Sequence, residues 1–140
     1  MRRYLIVANR TLAGPVLSDE VLAREAAGEC LFHILVPASR EHGGAVWTEG
    51  KAIAHARSTL EHAITVFGEV GVAVTGEIGD ENPLLAVRDV LRDATFDEII
   101  VSTLPAGLSR WLKRDLPRRI EREFGLPVTH LVAAPQTVAR

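Results

Sequence analysis

At 140 residues the chain is one domain by size, long enough to bury a single sizeable core, whereas two domains would each be marginal. A hydrophobic fraction of 47% carried by aliphatic side chains, with 5% aromatic, excludes a disordered chain, and a formal net charge of −2 argues against general nucleic-acid binding. The one cysteine, Cys30, permits no intrachain disulfide and fits a reducing compartment. No apolar run approaches a membrane span, and the run behind Met1-Arg2-Arg3 is too short for a signal peptide, so the expectation is a soluble cytoplasmic protein with no membrane partner.

Tyr4-Leu5-Ile6-Val7-Ala8, bounded by charge and by Asn9-Arg10-Thr11, predicts a short strand buried on both faces. After Gly14-Pro15, Ser18-Asp19-Glu20 offers a cap for a modest helix carrying Val21, Leu22, Glu25 and Ala26 and ended by Gly28. Cys30-Leu31-Phe32-His33-Ile34-Leu35-Val36 predicts a second buried strand stopped by Pro37, with His33 as a hydrogen-bonded core residue rather than a ligand. Residues 38–50 form the one long irregular connection, with Glu41-His42-Gly43-Gly44 and then Trp47, whose ring is expected to fold back onto the domain edge.

Residues 51–70 predict the clearest helix, because Ile53, Leu60, Ile64 and Phe67 recur at helical spacing and Gly68 and Gly71 follow. His55 and His62 fall on the opposite, solvent side, two turns apart, a spacing that does not make a metal site. Val72-Ala73-Val74-Thr75-Gly76 predicts a third strand. In Gly79-Asp80-Glu81-Asn82-Pro83, Asp80 or Asn82 can cap a helix whose apolar face is Leu84, Leu85, Val87, Val90 and Leu91.

Glu98-Ile99-Ile100-Val101 is the fourth strand, and it opens into the loop Ser102-Thr103-Leu104-Pro105-Ala106-Gly107-Leu108-Ser109. The basic helix that follows is expected to turn Leu112, Leu116, Ile120 and Phe124 inward and most of its arginines to water, leaving Arg110 and Arg114 beside the loop as ligand contacts. A closing strand, Val128-Thr129-His130-Leu131-Val132-Ala133, completes the order. Five strands alternating with helices predict a single α/β domain over residues 1–140: three layers, a five-stranded parallel sheet with helices on both faces, Rossmann-like. The loops after strands one and four would converge at its switch point.

The element order, the turn from Gly79 to Pro83, and above all Ala106-Gly107-Leu108-Ser109, then a helix, then Gly125-Leu126-Pro127-Val128, resemble the universal stress protein family. That resemblance implies an adenine nucleotide alpha-hydrolase-like fold, a regulatory and non-catalytic role in stress response, a bound ATP or AMP, and a homodimer joined through the last strand. With Asn9 at the family's adenine-reading position and Gly107 and Ser109 matching its loop, the candidate ligand-binding positions are Ala8, Asn9 and Arg10 after strand one and Val36 and Pro37 after strand two. In the loop they are Ser102, Thr103, Gly107, Leu108 and Ser109, and in the last helix Arg114 and Asp115.

The glycines and the hydroxyl of the family's phosphate loop fall on Val101, Leu104, Arg114 and Asp115, and all four depart from the pattern. Asp115 is expected to cap the last helix from the place where phosphate would sit. Two negative groups about 4 Å apart repel by roughly 1–4 kcal/mol, so ATP binding should be weakened or lost.

Of catalytic sets there is little sign. Ser102, Thr103 and Ser109 have only His42 at their end of the sheet, His130 being inside a strand, and ATP hydrolysis is the third-ranked reading. The expectation is a module for a small anionic ligand; the alternative is a dimerising interaction protein of the same fold with no nucleotide.

Overall fold

In chain order the elements are β1 (Arg2–Val7), α1 (Pro15–Ala27), β2 (Cys30–Pro37), β3 (Glu41–His42), β4 (Ala45–Val46), α2 (Glu49–Glu69), β5 (Val74–Gly79), α3 (Pro83–Asp93), β6 (Glu98–Thr103), α4 (Arg110–Lys113), α5 (Leu116–Phe124) and β7 (Val128–Val132). They come from a computed structural model that describes residues 1–12, 14–42, 45–105 and 109–133. One parallel sheet has the order β5-β2-β1-β6-β7. β1 is central, its Tyr4 to Val7 lying opposite both Phe32 to Leu35 of β2 and Glu98 to Val101 of β6. From β1 the chain winds outward through β2 to β5, then crosses to β6 and on to β7. The winding therefore reverses between β1 and β6, as the alternation of strands and helices predicts.

Strand periodicity divides the core in two. Tyr4, Ile6, Phe32, Ile34 and Val36 pack on Leu17 and Val21 of α1 and on α2. Leu5, Val7, Leu35, Ile99 and Val101 pack against Val87 and Val90 of α3 and against Leu116 and Ile120 of α5. The three layers follow from this division. Each such side chain, removed from water, contributes about 1.5–3 kcal/mol.

Several boundaries differ from expectation for local reasons. α1 begins at Pro15 with Gly14 as cap, not at Ser18-Asp19-Glu20: proline at the first position presets φ, and Ser18 N already donates to Gly14 O. α2 begins at Glu49 because the Thr48 hydroxyl accepts from Lys51 N at 3.3 Å. Its buried stripe is Ala52, Ala56, Leu60, Ala63 and Phe67, with Ile53 and Ile64 on the flanks. Those alanines let α2 lie close to the sheet, so close that a Cβ on Gly76 would come within 2.4 Å of Leu60 Cδ1. After α2, Gly71 at φ 84° and a Val72 N bond to Phe67 O close the helix end, which delays β5 to Val74. Asn82 caps α3 as expected, accepting from Leu84 N and Leu85 N, while Asp80 accepts from Asn82 N.

Residues 38–50, expected to be irregular, contain the antiparallel pair β3–β4. Trp47 folds back as expected, packing against the first core cluster with its ring edge-on to His55 at 5.0 Å. His55 is accordingly half-buried rather than solvated, and His62 is exposed. His33 is hydrogen-bonded: Nδ1 lies 2.7 Å from Thr75 Oγ1 and Nε2 lies 2.7 Å from Glu77 Oε2. A carboxylate only accepts, so Nε2 donates to Glu77, and the two bonds tie β2 to β5.

The last helix departs most. It is two helices separated by Asp115, a non-glycine residue at φ 54°, ψ 44° in the left-handed region. The break resets the helical phase. Trp111 rather than Leu112 packs on the second core cluster, followed by Leu116, Ile120 and Phe124 at the expected spacing. Among the described residues no helix is long and apolar enough to cross a membrane.

Candidate functional site

The carboxyl ends of β1, β2 and β6 bring several of the expected residues together. Ala8 and Val36 are fully buried and shape the floor. Asn9, 7% exposed, donates from Nδ2 to Pro37 O at 2.7 Å. Because a carbonyl oxygen can only accept, this bond fixes which end of the amide is Nδ2 and which is Oδ1. Among the described residues Asn9 Oδ1 is the one buried side-chain polar atom without a hydrogen-bond partner. Leaving such an acceptor dry costs about 1–3 kcal/mol.

Beside Asn9 the chain turns tightly, Leu12 N donating to Asn9 O, and this turn carries Thr11 inward. The Thr11 hydroxyl lies 2.6 Å from Ser102 Oγ, with both residues buried. That pair joins the two loops at the reversal of winding. Sequence reading missed Thr11, since only the pairing of β1 with β6 shows that it meets Ser102. Arg10 is exposed and stands outside the cluster. Ser109 is buried and caps α4, accepting from Leu112 N at 3.2 Å. Gly107 and Leu108 lie outside the described residues, as does the side chain of His42.

Thr103 has a partner that the strand assignment hid: its Oγ1 lies 2.7 Å from His130 Nε2. Thr103 is 2% exposed, and no carboxylate among the described residues bonds His130, so the pair is a cross-strand tie and not a nucleophile with its base. Burial pushes the His130 pKa down from its ordinary value. A folded-state value below the unfolded one means that neutral His130 stabilises the fold fully above about pH 6.5, and that this contribution is lost as pH falls toward the folded-state value. The expected result is a thermal midpoint that declines between pH 7 and pH 5, with a smaller decline in His130→Gln; equal declines would remove His130 as the cause. Burial, with Glu25 next, raises the Cys30 thiol to about 11, so at neutral pH it is no nucleophile.

The expectation for Asp115 is overturned. Its carboxylate makes no cap hydrogen bond, is 60% exposed, and lies 3.8 Å from Arg118 Nε. The cap that the sequence suggested for α5 is therefore not made by this side chain, and the residue's backbone is left-handed instead.

Arg114 does stand at the cleft. Together with Arg40, Arg110 and Arg119 it lines a cavity of about 330 Å³ between the start of α3 and the α4–α5 junction, with Trp111 and Leu116 behind and Glu81 as the one carboxylate among the described lining residues. Arg40 and Arg119 were not singled out in the sequence. Arg40 follows β2 in the long connection, and Arg119 reaches the cleft because of the break at Asp115.

These residues thus lie in an α/β domain whose strand order reverses between β1 and β6. Neither a known protein-family profile nor a curated protein matches the chain. Among the described residues no group of three metal-ligating side chains converges.

Proposed function

We propose that the chain is a non-catalytic regulatory module that holds a small ligand at the switch point, in the manner of universal stress proteins. The ligand class is adenine nucleotides, AMP or ATP, with ATP held more weakly than in members that keep the glycine loop. The observation that carries this reading is the buried, unpartnered Oδ1 of Asn9, held in place by Pro37 O between the ends of β1 and β2. It asks for an N–H donor, which an exocyclic amine supplies. Val101 and Leu104, in place of loop glycines, remove the backbone freedom with which N–H groups close on phosphate.

Native mass spectrometry of freshly purified protein, followed by calorimetry with adenosine, AMP, ADP and ATP, tests it. Binding is expected, and Asn9→Ala should weaken it about tenfold, the worth of one hydrogen bond to a buried acceptor. No bound nucleotide mass and no heat at millimolar concentration would reject the reading.

A second reading has its own support. Among the described residues β7 is an edge strand with no pairing partner on its outer side, and Val132 on it is 44% exposed. An open apolar edge favours pairing with a second copy of the chain, a homodimer that needs no nucleotide. Leu131 packs on the core, so Val132→Asp is the cleaner probe. Sedimentation should show a dimer that this change converts to monomer, and a dimer insensitive to it would place the contact elsewhere.

A further inference from the structure

We infer that the cleft framed by Arg40, Arg110, Arg114 and Arg119 is a site for a compact polyanion of the phosphoanhydride class, gripped by guanidinium forks. The inference rests on the reading of this sheet edge as a ligand site and names the chemistry of its charged half. Four guanidiniums from three separate segments line a cavity of about 330 Å³ in which Glu81 is the one carboxylate among the described lining residues, in a chain whose formal net charge is −2.

Outside the cleft several arginines stand beside carboxylates, although the scattered, exposed Arg10, Arg57 and Arg122 have none among the described residues. Arg24 has Glu20 and Glu98, Arg88 has Glu123, Arg92 has Asp89, and Arg118 has Asp115. Arg114 and Arg119 have none among the described residues. Glu81 reaches Arg40 at only 3.9 Å with both side chains about half exposed, an ion pair that is easily exchanged. Like charges gathered in this way repel unless an anion completes the cluster, and planar forks bind phosphate oxygens in pairs.

The fold maintains the arrangement at a cost. In an unbroken helix, positions 114 and 119 would point about 140° apart at 100° per residue. The left-handed step at Asp115, unfavourable for a non-glycine residue, turns α5 so that both line one cleft. Trp111 gives that cleft a rigid wall anchored in the core. Its volume is at the small end for ligand sites, suited to two or three linked phosphates and not to a nucleoside as well.

Calorimetry at low salt with pyrophosphate, tripolyphosphate, ADP, ATP and adenosine provides the test. Pyrophosphate and tripolyphosphate should bind, more weakly as salt rises. Arg114→Ala and Arg119→Ala should each weaken them about tenfold, and Arg114→Lys severalfold, since it keeps the charge but loses the fork. Arg118→Ala removes the same charge outside the cleft and should change affinity less than twofold; thermal melts of all variants verify the fold.

If ADP and ATP share the arginine dependence and bind tighter than the free chains, the source is a nucleotide tail; equal affinities point to the free anion. No binding of either inorganic chain, or loss equal in Arg118→Ala and Arg114→Ala, would overturn the inference. Adenosine binding that depends on Asn9 alone would leave the switch-point reading standing while this one fell.

Discussion

Gly79→Val is expected to destabilise the protein by about 3 kcal/mol, lowering the thermal midpoint by about 10 °C. Gly79 ends β5 where α3 crosses the sheet. A Cβ there would stand 2.7 Å from Ala86 Cβ and 2.8 Å from Leu35 Cδ1. Leu35 could rotate, but Ala86 has no rotamer to give: its Cβ is fixed to the helix backbone, and its Cα is only 3.5 Å away. α3 must therefore move off the sheet and take with it Val87 and Val90, which fill the second core cluster.

The movement also reaches the arginine cleft, because the start of α3 forms one of its walls. Gly68→Ala, in the last turns of α2 with nothing within 4 Å of its Cβ, is the opposite case and should stabilise by up to about 1 kcal/mol. A Gly79→Val chain as stable as the parent would mean that α3 does not pack where described.

The second large effect is at Arg24. From α1 its guanidinium reaches Glu20 at 2.7 Å, Glu98 of β6 at 2.9 Å and Thr129 of β7 at 3.2 Å, and it lies over the Tyr4 ring at 4.8 Å. Burial opposes its charge, but Glu20 and Glu98 outweigh burial and hold its pKa above the ordinary guanidinium value. Arg24 and Glu98 side chains are only 17% and 12% exposed.

Arg24→Ala strands the Glu98 carboxylate with Thr129 and the largely exposed Arg2, and should cost about 2–4 kcal/mol in urea unfolding. Arg24→Met with Glu98→Leu removes both charges and keeps the packing volume, so most of that loss should be recovered. If the double variant is no better than the single one, desolvation of Glu98 is not the source of the cost.

What the structure adds at the candidate site is mostly pairing between distant residues. Thr11 and Ser102 are 91 positions apart, and nothing near either one marks a buried hydroxyl pair. His130 looks like a strand interior in a linear reading, yet the register of β7 against β6 sets it within reach of Thr103. The Asp115 expectation failed because a caplike residue before an apolar-periodic run gives no sign of its backbone angles. The residue sits in a left-handed step and turns its carboxylate toward Arg118.

By itself the sequence determined the layers: apolar runs too continuous for half-exposed strands, alternating with helical periodicity and bounded by Pro37, Gly28 and the helix-starting Asn82, leave little choice but a parallel sheet covered on both sides. Those signals are local, spread over a few turns or one strand, and they survive without knowledge of neighbours. The tertiary structure alone decided which charges gather and which buried atoms go unmatched. The arginine cleft and the orphan oxygen of Asn9 depend on where α5 turns and on what stands across the sheet, quantities set by packing between segments that no stretch of sequence contains.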